Sequence, residues 1–102
     1  MKMLVITSIK EDLQVVTDVF EKVQIPVFSV SDTIGHKAAH HNYLLNNWFA
    51  SGSDQTEALF FFSFTEDNKA AEALQQIKEL NEKRKNNFPV HAFILPVEAS
   101  SL

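Results

Sequence analysis

A chain of 102 residues with 45% hydrophobic residues has room for one globular domain with a single core. Its net charge of -4 provides little positive charge for phosphate contacts, so we expect no nucleic-acid partner. The sequence has no apolar run of membrane-spanning length, no recognisable signal peptide and no cysteine. We therefore expect a cytoplasmic protein without direct membrane insertion, disulfides or thiolate metal sites.

The first half of the chain has the pattern strand, helix, strand. The apolar run Met3–Ile6 is too short for a helix and predicts a strand. Apolar residues recur at helical spacing over Leu13–Val23, which predicts a helix that ends before Pro26. Alternating, β-branched residues over Val27–Ile34 then predict a second strand that runs into Gly35.

The second half repeats the pattern. Ala58–Phe64 is dominated by phenylalanine and predicts a third strand. Thr65 or Asp67 can cap the next helix, and the charged run Glu79–Lys85 indicates a solvated helix end with basic residues near its C-terminal dipole. Val90–Leu95 predicts the last strand.

Two consecutive split β-α-β units predict an α+β protein with the ferredoxin-like βαββαβ sandwich, in which a four-stranded antiparallel sheet carries both helices on one face. The other face of such a sheet is polar in a monomer. Here Phe60, Phe61, Phe62 and Phe64 place aromatic rings on both faces of the third strand. We therefore expect a homo-oligomer that covers the second face, with folding of the chain's own loop over the sheet as the alternative.

Three stretches resemble the PII signal-transduction superfamily, namely Met1-Lys2 entering the first strand, Val27–Gly35, and Ala92–Ala99. Proteins of this superfamily are trimeric ferredoxin-like regulators that bind nucleotides or other effectors in clefts between subunits. The resemblance covers nearly the whole chain. It implies one PII-like domain over residues 1–102, a homotrimer, a T-loop-like segment over residues 35–55, and a regulatory function in which the loop signals to a partner protein such as a transporter or an enzyme.

The resemblance also suggests where an effector binds. Ser29 stands where the family places a hydroxyl near a nucleotide base, and Gly35 where the T-loop backbone bends next to the phosphates. The family's glycine-rich loop is replaced by Lys85–Val90, and its phosphate-binding lysine by His91, so the effector stays unknown between a nucleotide, a divalent metal and another small molecule. The predicted effector-binding residues are Ser29, Gly35, His36, Lys37, Lys85 and His91.

The stretch between the two glycines of the chain contains a candidate partner-binding surface. Leu44, Trp48 and Phe49 lie at helical spacing with Leu45 and would form an apolar flank suited to the groove of a partner protein. The alternative is that these side chains pack against the neighbouring sheet or subunit.

The same stretch contains a candidate metal site formed by His36, His40 and His41, because two imidazoles one helical turn apart can chelate a divalent cation. A second resemblance, to the CutA family, rests on the ending Pro-x-x-x-x-x-Leu-Pro-Val from Pro89 to Val97. Together these features make a divalent-metal-binding or metal-tolerance protein of CutA type the alternative function.

No catalytic constellation is recognisable. The chain has no cysteine nucleophile, no Gly-x-Ser-x-Gly elbow and no Walker loop. An enzyme that uses His91 or His36 as acid or base is a minor alternative, and we expect a protein without catalytic activity.

Overall fold

The computed structural model describes residues 1–36, 55–85 and 88–102, with the backbone alone for residues 55 and 56. A short 3-10 turn (Lys10–Asp12) connects the first strand to the first helix. The strands and helices are β1 (Lys2–Ile9), α1 (Leu13–Val23), β2 (Ser29–His36), β3 (Gln55–Thr65), α2 (Asp67–Arg84) and β4 (His91–Pro96). The strands form one sheet in the order β2-β3-β1-β4, with every neighbouring pair antiparallel. The predicted ferredoxin-like α+β fold is confirmed.

The hairpin formed by β2 and β3 is longer at its loop end than the residue pattern predicts. β2 begins at Ser29 and continues through Gly35 to His36, which pairs with Gln55 of β3. Gly35 pairs with Thr56 and has no positive φ angle. Cross-strand pairing therefore incorporates residues of low strand propensity that a single-strand pattern does not mark.

Both helices cover one face of the sheet, which we call the helix face. Leu4 and Ile6 of β1 and Phe61 of β3 point to this face and are fully buried against α1 and α2. At the start of β2 the rings of Phe20 and Phe28 are stacked, with centroids 4.1 Å apart and an interplanar angle of 7°. The single core of the domain therefore lies between this face and the helices.

The opposite face, which we call the open face, is apolar. Met3 lies in register between Phe64 and Leu95, so these three side chains share the face. The rings of Phe60, Phe62 and Phe64 follow one another along β3 at centroid distances of 5.9 and 6.3 Å. The exposed large hydrophobic side chains here are Phe64 at 54%, Leu95 at 43% and Phe93 at 38%. The prediction of aromatic rings on both faces of β3 is confirmed.

Among the residues that the structure describes, neither helix combines the length and hydrophobicity that a membrane span requires.

Helix α1 ends at Gln24, a residue other than glycine in a left-handed backbone conformation. Gln24 has φ 65° and ψ 44°, in the left-handed region, and its backbone N–H donates to the Glu21 carbonyl at 3.1 Å. Glycine adopts this conformation without the steric contact between Cβ and the backbone.

We predict that Gln24→Gly raises the free energy of unfolding by about 1 kcal/mol, because it removes that steric cost. The matched control is Glu21→Gly, which introduces glycine inside the same helix and should lower the free energy of unfolding by about 1 kcal/mol. Urea denaturation followed by circular dichroism measures both. Equal destabilisation by the two substitutions would contradict this account of the helix end.

Candidate functional site

The predicted effector residues of β2 lie along one edge of the sheet. Ser29 is the first residue of the strand, and Gly35 and His36 are the last two. Seven residues of extended chain separate Ser29 from His36, a distance of about 23 Å. Ser29 and His36 are exposed, and Gly35 is buried. Lys37 lies outside the described residues.

His91 lies at the opposite edge of the sheet. It is the first residue of β4 and pairs with Thr7, which in turn pairs with Phe60 and, through it, with Ser31 of β2. Three strand spacings of about 4.8 Å place His91 about 14 Å from the β2 edge. One chain therefore does not bring the β2 residues and His91 to a common point.

The His91 imidazole is partly removed from solvent. The residue is half-buried, and its Nε2 atom is buried without a hydrogen-bond partner among the described residues. Desolvation by burial lowers the pKa of His91 below its ordinary value of 6.5. The ring is therefore neutral at neutral pH and can accept or donate one hydrogen bond at Nε2.

Hydrogen bonds to Asn81 hold both ends of the connection between α2 and β4. The Asn81 Nδ2 atom donates to the Val90 carbonyl at 2.8 Å, and its Oδ1 atom accepts the Val90 N–H at 2.9 Å. The Lys85 N–H donates to the Asn81 carbonyl at 3.0 Å. Lys85 is exposed and has φ 43°, so it ends the helix in a left-handed conformation. These bonds fix the position of the β4 start, and thus of His91, relative to α2.

A buried ion pair joins the end of α2 to the turn after β1. The Arg84 guanidinium donates to both carboxylate oxygens of Asp12, at 3.1 Å each, and Asp12 is buried. The prediction of a solvated helix end is therefore wrong for Arg84. The two residues are 72 positions apart in the chain, and no local pattern indicates that they meet.

An open cavity of about 550 Å³ lies near the loop end of β2 and was not predicted. It is lined by Lys10, Asp32, Thr33, Ile34 and Glu57. The Lys10 Nζ atom and the Asp32 Oδ1 atom form an exposed ion pair at 3.5 Å. The described residues of the predicted effector set do not line this cavity.

The predicted partner-binding and metal-binding residues lie mostly in the part of the chain that is not described. Leu44, Trp48 and Phe49 fall there, as do His40 and His41. Residues 1–36, 55–85 and 88–102 contain no group of three or more potential metal-ligating side chains. Both sites therefore stay predictions.

No protein-family model matches the chain, and none of the curated proteins compared with it is significantly similar in sequence. Solved structures are similar in fold. A protein from Thermus thermophilus, described as a putative PII-like signalling protein, matches with a TM-score of 0.63 and 10% identity, over 91% of this chain and 82% of its own. The chain has a PII-like fold.

A second structure with this PII-like fold is CPII, a nitrogen regulatory PII-like protein from Thiomonas intermedia, bound to ADP, AMP and bicarbonate. It matches with a TM-score of 0.62 and 10% identity, over 97% of this chain and 93% of its own. The predicted resemblance to PII-like proteins is thus confirmed for the fold.

We predict that Arg84→Met lowers the free energy of unfolding by about 2 kcal/mol, because it leaves the buried Asp12 carboxylate without its cation. The matched control is Lys83→Met on the exposed side of the same helical turn, which should change the free energy of unfolding by less than about 0.5 kcal/mol. Thermal and urea denaturation measure both variants. An Arg84→Met variant as stable as the control would contradict a stabilising role for the pair.

Proposed function

We propose that this chain is a cytoplasmic, non-enzymatic PII-like regulator that binds a small-molecule or ion effector in clefts between the copies of a homotrimer. The T-loop-like segment predicted over residues 35–55 then signals the effector's presence to a partner protein such as a transporter. An effector that contacts the cleft in only one arrangement of this segment favours that arrangement, and the partner recognises it. The PII-like fold supports a regulatory function.

The observation that carries the proposal is the separation of the effector residues. Ser29, Gly35 and His36 are on the β2 edge of the sheet, and His91 is on the β4 edge. A compact effector such as bicarbonate cannot contact both edges of one sheet, about 14 Å apart. It can contact both where the β2 edge of one copy meets the β4 edge of the next, and we place the cleft there.

The distribution of exposed apolar side chains supports the same arrangement. Val30 and Ile34 are exposed on the helix face of the β2 edge, beyond the cover of the helices, at 40% and 55%. Phe93 and Leu95 are exposed on the open face of the β4 edge. We call Val30 and Ile34 the β2 strip, and Phe93 and Leu95 the β4 strip. A two-fold interface that pairs one of these strips with the same strip of a second copy leaves the other strip uncovered. A head-to-tail contact covers both strips at once, and repetition of that contact closes a ring.

The effector class is suggested by the neighbouring structure. CPII is bound to ADP, AMP and bicarbonate, so these three anions are the first probes for this chain. The exposed Lys85 side chain offers a cation to an anion. His91, the first residue of β4, offers a hydrogen-bonding group.

We predict that Leu95→Glu and Phe64→Glu convert the assembly to monomers, because each places a carboxylate on the covered apolar face. The wild-type mass by light scattering should be three times 11.6 kDa. Leu13→Glu is the matched control, because Leu13 is equally exposed, at 47%, but lies on α1. A wild-type monomer, or loss of the trimer in the Leu13 variant alone, would contradict the proposed interface.

We predict that Ser29→Ala and His91→Ala each weaken binding of the anion that the wild type binds best by about tenfold, as loss of one hydrogen bond does. Calorimetry with ADP, AMP and bicarbonate measures the affinities. Co-refolding the two variants in equal amounts should restore wild-type affinity at about a quarter of the interfaces, where an intact Ser29 meets an intact His91.

The control for this mixture is Ser29→Ala co-refolded with the double variant Ser29→Ala/His91→Ala, which has no intact interface. Recovery in the first mixture and not in the control supports a cleft shared by two copies. A first mixture that binds no better than the separate variants would contradict it, and a wild type that binds none of the three anions would remove them as effectors.

A further inference from the structure

The open cavity near the loop end of β2 carries a net negative charge. Its lining contains two carboxylates, those of Asp32 and Glu57, and one ammonium group, that of Lys10. Lys10 is paired with Asp32 at 3.5 Å, and exposed Glu11 follows it in the same turn. Glu57 is exposed and forms no ion pair with any residue that the structure describes. The described part of the chain therefore leaves this carboxylate without a cation.

The wall of the cavity suits a long cationic side chain. Exposed Ile34 lines it and belongs to the β2 strip, which continues along the same face of the strand to Val30. A lysine can lay its methylene groups along such an apolar wall while its ammonium group meets a carboxylate. The volume of about 550 Å³ leaves room for that side chain and for water around its charge.

The end of α2 carries the opposite charge. Lys83 and Lys85 are exposed and have no ion pair among the described residues, whereas Arg84 is paired with Asp12. Glu82 is the one acidic residue in the last turn of the helix. This end is therefore cationic on a chain whose net charge is -4, and it complements the charge of the cavity.

The pairing register places Lys85 and Glu57 at nearly the same height along the strands. Two hydrogen bonds fix Asn81 beside Val90, which directly precedes β4 and is level with Leu59 of β3. From that level Glu57 lies two strand residues, about 7 Å, toward the loop end. Lys85 lies four helical residues, about 6 Å, in the same direction. Both residues are on the helix side of the sheet, one toward each edge.

We propose that Lys85 of one copy enters this cavity of the next copy and pairs with its Glu57. The proposal rests on the head-to-tail homotrimer of the proposed function and adds the ion pair that orients its copies. In a ring whose axis runs along the strands, every copy has its loop end at the same end of the ring. The α2 end of one copy, which lies toward the β4 edge, then faces the β2 edge of the next copy at the height of the cavity.

The test is the association of charge-reversal variants, measured by sedimentation equilibrium at low salt and about pH 8, where histidine side chains are ordinarily neutral. The buffer contains no ADP, AMP or bicarbonate, because an anionic effector competes for Lys85. Glu57→Lys and Lys85→Glu should each weaken association by about tenfold per interface, since an attraction becomes a repulsion of similar size. The double variant Glu57→Lys/Lys85→Glu restores the pair with its charges exchanged and should associate as the wild type does.

The matched control is Glu72→Lys/Lys85→Glu, which has the same net charge as the double variant but alters an exposed acid in the middle of α2. It should associate as weakly as Lys85→Glu alone. Glu57→Gln and Lys85→Gln remove one charge without introducing another, and each should weaken association by about threefold. Circular dichroism verifies that every variant is folded.

The outcomes separate this inference from the proposed function. A wild-type trimer whose association no single substitution of Glu57 or Lys85 weakens overturns the inference and leaves the proposed function intact. Equal recovery in the Glu72 control also overturns it, because net charge is then responsible. A double variant that associates no better than the single variants does the same. A wild type that is monomeric under these conditions overturns the homotrimer itself.

Discussion

The organisation of this protein follows from a mismatch between one sheet and the two helices that cover it. A four-stranded sheet has two faces, and here both are apolar, but α1 and α2 cover only one of them. The open face of a single chain exposes more than a third of Phe64, Phe93 and Leu95 to water. The hydrophobic effect therefore favours burial of that face by another surface.

Covering that face by assembly would also complete the proposed binding site of this small domain. The predicted effector-binding residues lie on opposite edges of the sheet, so each edge alone offers only part of the proposed site. Assembly would bring an edge of one copy to the other edge of the next. Binding and assembly would then be coupled.

The sequence was sufficient to predict the features that depend on local periodicity. The alternation within Ala58–Phe64 predicted aromatic rings on both faces of β3, and the structure places Phe61 in the core and Phe60, Phe62 and Phe64 on the open face. It was not sufficient where distant residues meet. The extension of β2 through Gly35 depends on pairing with β3, and the Asp12 to Arg84 ion pair joins residues 72 positions apart. For the same reason, residue patterns identified His91 as a candidate but did not indicate that it lies a sheet's width from Ser29.

The central claim, that the β2 edge of one copy meets the β4 edge of the next, is tested most directly by cross-linking. The chain contains no cysteine, so Ser31→Cys and His91→Cys place two unique thiols at opposite ends of one row of the sheet. Treated with a short bis-maleimide that cannot span the roughly 14 Å between the two thiols of one copy, the double variant should give covalent trimers, and neither single variant should be cross-linked. Dimers formed by a single variant, or a double variant that remains uncross-linked, would contradict the head-to-tail arrangement.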